Sequence, residues 1–283
     1  MHKLTIIVRL YGGLGNQLFQ YAAGRRLSVL HGTILKMDTS QLCLIGRSYN
    51  LSPFSIQGNF ATPQEVAALT GNSISYFKEP SFDLSYKENI LKTRRDVYLE
   101  GYWQSERYFA DISQLILREF RQEDPLDLNT QKSAEKIQQS ESVSLHFRRG
   151  DYVENPEVRS LLGNLGMKYY EKCIQLVGER IEHPQFFVFS DDIDWVAENV
   201  HIGYPMTFVT HNGSKNYDDL RLMSMCKHNI VANSSFSWWG AWLNSNPGRL
   251  VLAPSRWFAD PRFNTCDLVP NGWIKVDNDF PYS

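Results

Sequence analysis

Cysteine is sparse in this chain: four in 283 residues, at Cys43, Cys173, Cys226 and Cys266, with no CxxC pair and no regular histidine spacing around them. That scatter excludes a disulfide framework and a zinc module, and it reads as reduced, mostly buried thiols in a cytosolic protein. An excess of one charge sign is lacking too. The 29 basic and 31 acidic residues leave a formal net charge of -2, so no global field points to nucleic acid or to anionic lipid, and any anion site must be local. Long hydrophobic runs are missing as well. The apolar stretch after Met1-His2-Lys3 is cut by Arg9 before a signal-peptide core or a membrane span develops. The expected location is therefore cytoplasmic.

What is present alternates. A β-rich run over residues 4–10 breaks at Gly12-Gly13-Leu14-Gly15, and helical periodicity follows over 16–27. Residues 34–37 read as a strand, 63–70 as a helix capped by Thr62, and 97–99 as a strand. Residues 106–120 carry one apolar helical face, and residues 72–89 show little periodicity. The polar stretch 121–129, with Pro125, is the natural boundary and predicts domains 1–128 and 129–283. Beyond it, helices over 130–139, 167–180, 193–199, 218–227 and 234–243 alternate with strands over 142–145, 185–189, 206–209, 229–232 and 249–253. Such alternation indicates an α/β fold with parallel sheets, whose ligand crevices lie at the carboxyl ends of the strands.

Five clusters fall at such ends. His146-Phe147-Arg148-Arg149-Gly150-Asp151-Tyr152 concentrates guanidinium groups that suit a phosphate-bearing ligand. Gly12-Gly13-Leu14-Gly15, with Asn16 and Gln17 after it, is a turn that either admits a diphosphate to a helix N-terminus or serves tight packing. It is neither the GxGxxG fingerprint nor a P-loop. Asn233-Ser234-Ser235-Phe236-Ser237 is a second phosphate nest or an ordinary cap, with Trp238, Trp239 and Trp242 expected to pack the helix behind it. Ser190-Asp191-Asp192 suits helix capping or recognition of a purine's N–H groups better than a metal. Glu100, Tyr102, Trp103 and Gln104 offer stacking and amide contacts to a sugar acceptor, or core aromatic packing.

Together these strings resemble the bacterial alpha-1,2-fucosyltransferases: residues 12–22, 146–152, 189–192 and 233–243 carry the likeness, and 101–106 and 271–273 add to it. The resemblance implies a GT-B-like architecture of two facing Rossmann-like domains, the N-terminal one on the acceptor side and the C-terminal one binding GDP-fucose. It implies inverting transfer of fucose to the 2-hydroxyl of a terminal galactose in an oligosaccharide or lipid-linked glycan, with no metal and no other cofactor. His146 and one of Asp191 or Asp192 would contact guanine. Arg148 would meet the β-phosphate, with Asn16, Ser234 and Ser235 assisting; Arg149, Asn233, Phe236, Gly13 and Gly15 complete the expected donor set. Arg149 is expected to brace Asp151. The proton acceptor is either Asp151 or Glu100. A lipid-linked acceptor would bring the chain to the cytoplasmic membrane face. Another nucleotide-sugar transferase, a protein O-fucosyltransferase and a non-catalytic nucleotide-sugar or glycan binder remain the rival readings.

Overall fold

Ile6, Ile7 and Val8 are all fully buried, and this is why the first strand reads as a continuous apolar run: a parallel strand covered on both faces has no polar side to alternate. The computed structural model describes residues 4–122, 124–210 and 215–280. The chain divides into two compact units, Met1–Asp124 with Phe263–Pro270, and Pro125–Arg262 with Asn271–Ser283.

In the first unit the order is β1 (Ile6–Arg9), α1 (Leu14–Leu30), β2 (Leu35–Asp38), β3 (Asn59–Phe60), α2 (Pro63–Thr70), β4 (Tyr76–Lys78), α3 (Glu88–Leu91), β5 (Val97–Glu100) and α4 (Ser113–Glu119). The sheet runs β3-β2-β1-β5-β4 with every pairing parallel. α2 starts where expected because Thr62 and Glu65 form a reciprocal capping box. The helix expected over 106–120 is instead two 3-10 turns, Glu106–Tyr108 and Ala110–Ile112, leading into α4. Phe109 and Tyr108 are drawn into the core, and the Tyr108 hydroxyl accepts the Lys87 N–H at 2.9 Å. That anchoring interrupts the helical path.

The second unit contains α5 (Leu128–Gln138), β6 (Glu141–Phe147), α6 (Gly150–Glu154), α7 (Pro156–Leu162), α8 (Met167–Gly178), β7 (Pro184–Ser190), α9 (Ile193–Asn199), β8 (Met206–Phe208), α10 (Asn216–Met225), β9 (His228–Ile230), α11 (Ser235–Trp242), β10 (Val251–Pro254) and β11 (Ile274–Val276). Its sheet order is β11-β10-β9-β6-β7-β8, again all parallel. Val143, Leu145, Phe186 and Val188 are fully buried between the helical layers, each worth about 1.5–3 kcal/mol of burial. α8 supplies Tyr169, Tyr170, Cys173, Ile174 and Val177 at helical spacing to the same core. Trp238 and Trp239 are fully buried, and Trp238 stacks with Trp242 at 6.2 Å between centroids, so this run packs its helix as expected.

Three sequence boundaries move. α5 begins at Leu128 rather than 130 because Asp127 caps it, accepting the Asn129 and Thr130 N–H groups. β11 extends the second sheet beyond β10; three residues, two of them exposed, carry too little pattern to read. The division falls at 124/125 rather than 128/129, and residues 263–270 return to the first unit. There Asp267 accepts from Arg107 Nη1 at 2.7 Å and from the Tyr86 N–H at 2.9 Å, and Asn264 N–H donates to the Phe82 carbonyl at 2.7 Å. Among the described residues no helix is long and apolar enough to cross a membrane. All four cysteines are free, but only Cys173 and Cys226 are buried; Cys43 and Cys266 are exposed.

Candidate functional site

In the second unit the chain builds β6, β7 and β8 outward and then returns to lay β9, β10 and β11 on the other side of β6. The reversal between β6 and β9 is the switch point at which doubly wound sheets open a ligand crevice. The residues leaving β6 are His146 to Arg149, and those leaving β9 lead to Asn233 to Phe236. The sequence clusters are brought together here by topology.

β6 and β7 pair in register, His146 with Phe189 and Phe147 with Ser190. One step on, Arg148 meets Asp191: Nη1 lies 2.7 Å from Oδ2. The other Asp191 oxygen accepts the Arg149 N–H at 2.8 Å. Gly150 permits this approach, since a Cβ there would stand 2.5 Å from Asp191 Oδ2. The Arg148 guanidinium also lies 5.2 Å from the centre of the Tyr152 ring, a cation–π distance. Tyr152 in turn donates its hydroxyl to the Asn233 carbonyl at 3.3 Å, tying the loop after β6 to the loop after β9.

His146 is buried, its Nδ1 has no hydrogen-bond partner among the described residues, and its ring lies 5.9 Å from that of Phe236. Burial, with the nearby Arg148 charge adding to it, pushes its pKa down to about 3. The imidazole is therefore neutral at ordinary pH, and an orphaned polar atom in a crevice calls for a ligand partner. Ser234 caps α11 by accepting the Phe236 N–H at 3.3 Å; Ser235 and Phe236 are half-buried at the same edge.

Other assignments change. Arg149 braces Asp192, its Nε 3.0 Å from Oδ2, with its guanidinium 3.3 Å from the Trp195 ring centre. Asn233 is spent on structure: its Nδ2 faces the carbonyls of Leu162, Gly163 and Trp257 at 2.9, 3.0 and 3.1 Å. Both Asp191 and Asp192 hold arginines, and among the described residues no cluster of three His, Cys, Asp or Glu is placed to hold a metal ion. Asp151 lies in α6, and its side chain falls outside the described residues.

The first unit has its own switch point, between β1 and β5. Gly12 adopts φ +78°, where a Cβ would come 2.6 Å from Asn16 Nδ2. Gly13 is the N-cap of α1 and Gly15 is buried within its first turn, so only Gly12 and Gly13 form the turn. Gln17 closes it, Nε2 donating to Gly12 and Ser48 carbonyls and Oε1 accepting the Asn50 N–H; its side chain is structural. Asn16 Oδ1 accepts from Gln104 Nε2 at 2.8 Å, joining the β1 and β5 loops. Tyr102 alone of the acceptor candidates is exposed, with its ring 4.7 Å from that of Tyr11. Trp103 is fully buried and packs on Tyr108. Glu100 is an ion-pair hub: Arg9 at 2.8 Å, Lys78 at 3.1 Å and the Tyr76 hydroxyl at 2.6 Å. Burial raises its pKa, but these three partners outweigh it and hold the group below its ordinary value. That is the wrong direction for a general base.

Sequence reasoning missed Tyr152 and Trp195 as supports for the arginines, although both sit within a turn of the quoted motifs. It also missed Glu79, a buried carboxylate one residue past β4 that accepts the Tyr102 and Trp103 N–H groups at 2.7 and 3.2 Å. No local pattern flags it.

The chain is 34% identical to the Alpha-1,2-colitosyltransferase of Escherichia coli over 96% of its length and 99% of that protein's. It is likewise 34% identical to the O-antigen biosynthesis glycosyltransferase WbnK of Escherichia coli, over 94% and 99%. Among solved structures, a mutant of Arabidopsis thaliana FUT1 in complex with GDP superposes with a TM-score of 0.52 at 12% identity, covering 95% of this chain and 75% of that one. Fucosyltransferase NodZ from Bradyrhizobium gives 0.50 at 13%, covering 85% and 92%. These likenesses bear out the GT-B-like α/β fold with parallel sheets. The pattern of glycosyl transferase family 11 runs through residues 2–277, and with that span and the two full-length relatives the chain belongs to glycosyl transferase family 11.

Proposed function

We propose that this glycosyltransferase moves L-fucose from GDP-fucose, with inversion, to the 2-hydroxyl of a terminal galactose in an oligosaccharide or lipid-linked glycan. The observation that carries the reading is Arg148 at the switch point, oriented by Asp191 and Tyr152. As the bond from fucose C1 to the diphosphate breaks, negative charge grows on the departing oxygen. A guanidinium already held in place stabilises that charge without reorganising, an effect worth about 3–4 kcal/mol for a single well-placed donor. His146, neutral and with an orphaned Nδ1, suits the uncharged base of the donor, and Ser234 and Ser235 at the start of α11 suit its phosphates. Arg148 and Arg149 already neutralise Asp191 and Asp192, so the transfer is expected to proceed in EDTA. On the acceptor side Tyr102 offers an aromatic face to a sugar ring, with Asn16 and Gln104 beside it. A lipid-linked acceptor would place the reaction at the cytoplasmic membrane face.

The identity to an alpha-1,2-colitosyltransferase favours a second donor, GDP-colitose, on the same site. Transfer from GDP-fucose, GDP-colitose, GDP-mannose and UDP-galactose to β-galactosides in EDTA, with NMR assignment of the product linkage, tests both. An alpha-1,2-fucosyl product is expected. Exclusive use of colitose establishes the second reading; strict metal dependence or a different linkage overturns the proposal.

A further inference from the structure

The turn that follows β5 is costly to hold. Trp103 sits at φ +56°, a left-handed conformation that L residues with bulky side chains rarely adopt because it is strained. Its indole Nε1 is buried with no hydrogen-bond partner among the described residues, a further destabilising feature. Such a turn persists only where its surroundings over-determine it. Glu79 supplies that constraint. Its backbone N–H donates to the Glu100 carbonyl at 2.8 Å, extending the β4–β5 ladder by one step. Its side chain then reaches across the turn, Oε2 accepting the Tyr102 N–H at 2.7 Å and Oε1 the Trp103 N–H at 3.2 Å. Gly101 makes the approach possible, because a Cβ there would stand 2.5 Å from Glu79 Cβ and 2.8 Å from Trp103 Cε2.

We propose that Glu79 is the positioning residue of the acceptor edge: its ionised carboxylate, bridging two successive amides, holds Tyr102 against Tyr11 in the arrangement that receives the acceptor sugar. The inference rests on the reading of the first unit as the acceptor side.

The bridge needs two acceptor oxygens. Protonation turns one of them into a hydroxyl that confronts an N–H donor, which releases one end of the turn. Burial pushes the Glu79 pKa up to about 7, against the downward pull of the Tyr102 and Trp103 N–H groups. The charged groups that act on it are Lys87, which lowers the value, and Asp83, which raises it. The tyrosines that sense its charge are Tyr11, Tyr102 and Tyr108. With both oxygens on backbone amides, Glu79 acts through the turn.

The test measures acceptor KM, donor KM and kcat of the wild-type chain from about pH 5.5 to about pH 8.5. It adds Glu79→Gln and hydrogen exchange of the 101–104 amides corrected for intrinsic rate. Acceptor KM is expected to rise by up to roughly tenfold per pH unit below about 7, with donor KM and kcat at saturating acceptor unchanged by Glu79 protonation. Exchange protection at Tyr102 and Trp103 falls over the same range. In Glu79→Gln the acceptor KM is high and its dependence on this ionisation is gone, because the amide of Gln opposes one N–H with another. A wild-type acceptor KM that is flat through pH 7, or a variant that keeps wild-type KM and protection, overturns the inference. If the wild-type chain glycosylates nothing, the functional reading falls, and hydrogen exchange alone then decides whether Glu79 holds the turn.

Discussion

Asp191 divides its two oxygens between the side chain of Arg148, at 2.7 Å, and the main chain of Arg149, at 2.8 Å. One carboxylate just past the end of β7 thus fixes both the direction of the guanidinium and the path of the loop leaving β6. Asp191→Asn removes the charge and, if its NH₂ turns toward either donor, a hydrogen bond as well. The folded content should survive, because the group lies at the sheet edge. kcat/KM for the donor should fall at least about tenfold, or about 1.4 kcal/mol, as measured by initial rates alongside circular dichroism. Wild-type kinetics in a folded variant would show that Arg148 needs no such support.

Arg148 itself is expected to act as a fork. Lysine keeps the charge but loses the planar array of donors and its fit over Tyr152. Arg148→Lys should therefore lower kcat by about 10²–10³ and Arg148→Ala should abolish measurable turnover, both leaving the unfolding midpoint within about 0.5 kcal/mol of wild type. Retained turnover in the alanine variant would remove Arg148 from the chemistry.

The sheets and the two arginine supports differ in how readable they were. Strands such as β1 and β7 announce themselves because burial on both faces demands continuous apolar runs, and α2 because Thr62 and Glu65 cap it locally. That residues 146–149 and 233–236 lie at strand ends was legible, but their gathering follows from the adjacency of β6 and β9, which local pattern does not give. Pairings across the register were not legible: nothing near Arg148 says that Asp191 receives its guanidinium, or that Asn233 faces three carbonyls instead of a ligand. Glu100 read as a reactive carboxylate until Arg9, Lys78 and Tyr76 surrounded it. Glu79 stands in a stretch of weak periodicity, and its role exists only through backbone amides 23 and 24 residues away.

Asn233 should behave as a pin. Its amide donates toward three carbonyls, of Leu162, Gly163 and Trp257, and it is buried. Asn233→Ala removes all three bonds, and although the Leu162 carbonyl keeps the Ala259 N–H at 3.3 Å the loss is expected to cost about 2–4 kcal/mol, which should lower the thermal midpoint of the second unit. Differential scanning calorimetry checks this, and a loss of activity with no change in midpoint would return Asn233 to the donor site.

Two buried groups set opposing pH slopes on stability. His146 has its folded pKa depressed from 6.5 to about 3. The unfolded chain therefore binds a proton that the folded chain refuses, and the stability from this group, full above about pH 6.5, is lost as pH falls toward 3. Glu79 is raised from 4.5 to about 7. Here the folded chain keeps the proton longer, so its contribution is full below about pH 4.5 and is lost as pH rises through 7, amounting to roughly 3 kcal/mol. The two slopes cancel where they overlap, between about pH 4.5 and 6.5, so urea midpoints followed by tryptophan fluorescence should be level there and fall toward pH 3 and again from about 6.5 to 7. His146→Gln should uncover a fall running from about pH 4.5 to 7, and Glu79→Gln should remove the neutral limb and leave a rise from about pH 3 to 6.5. A neutral limb that persists unchanged in Glu79→Gln would mean that the carboxyl of Glu79 is not the group titrating near pH 7.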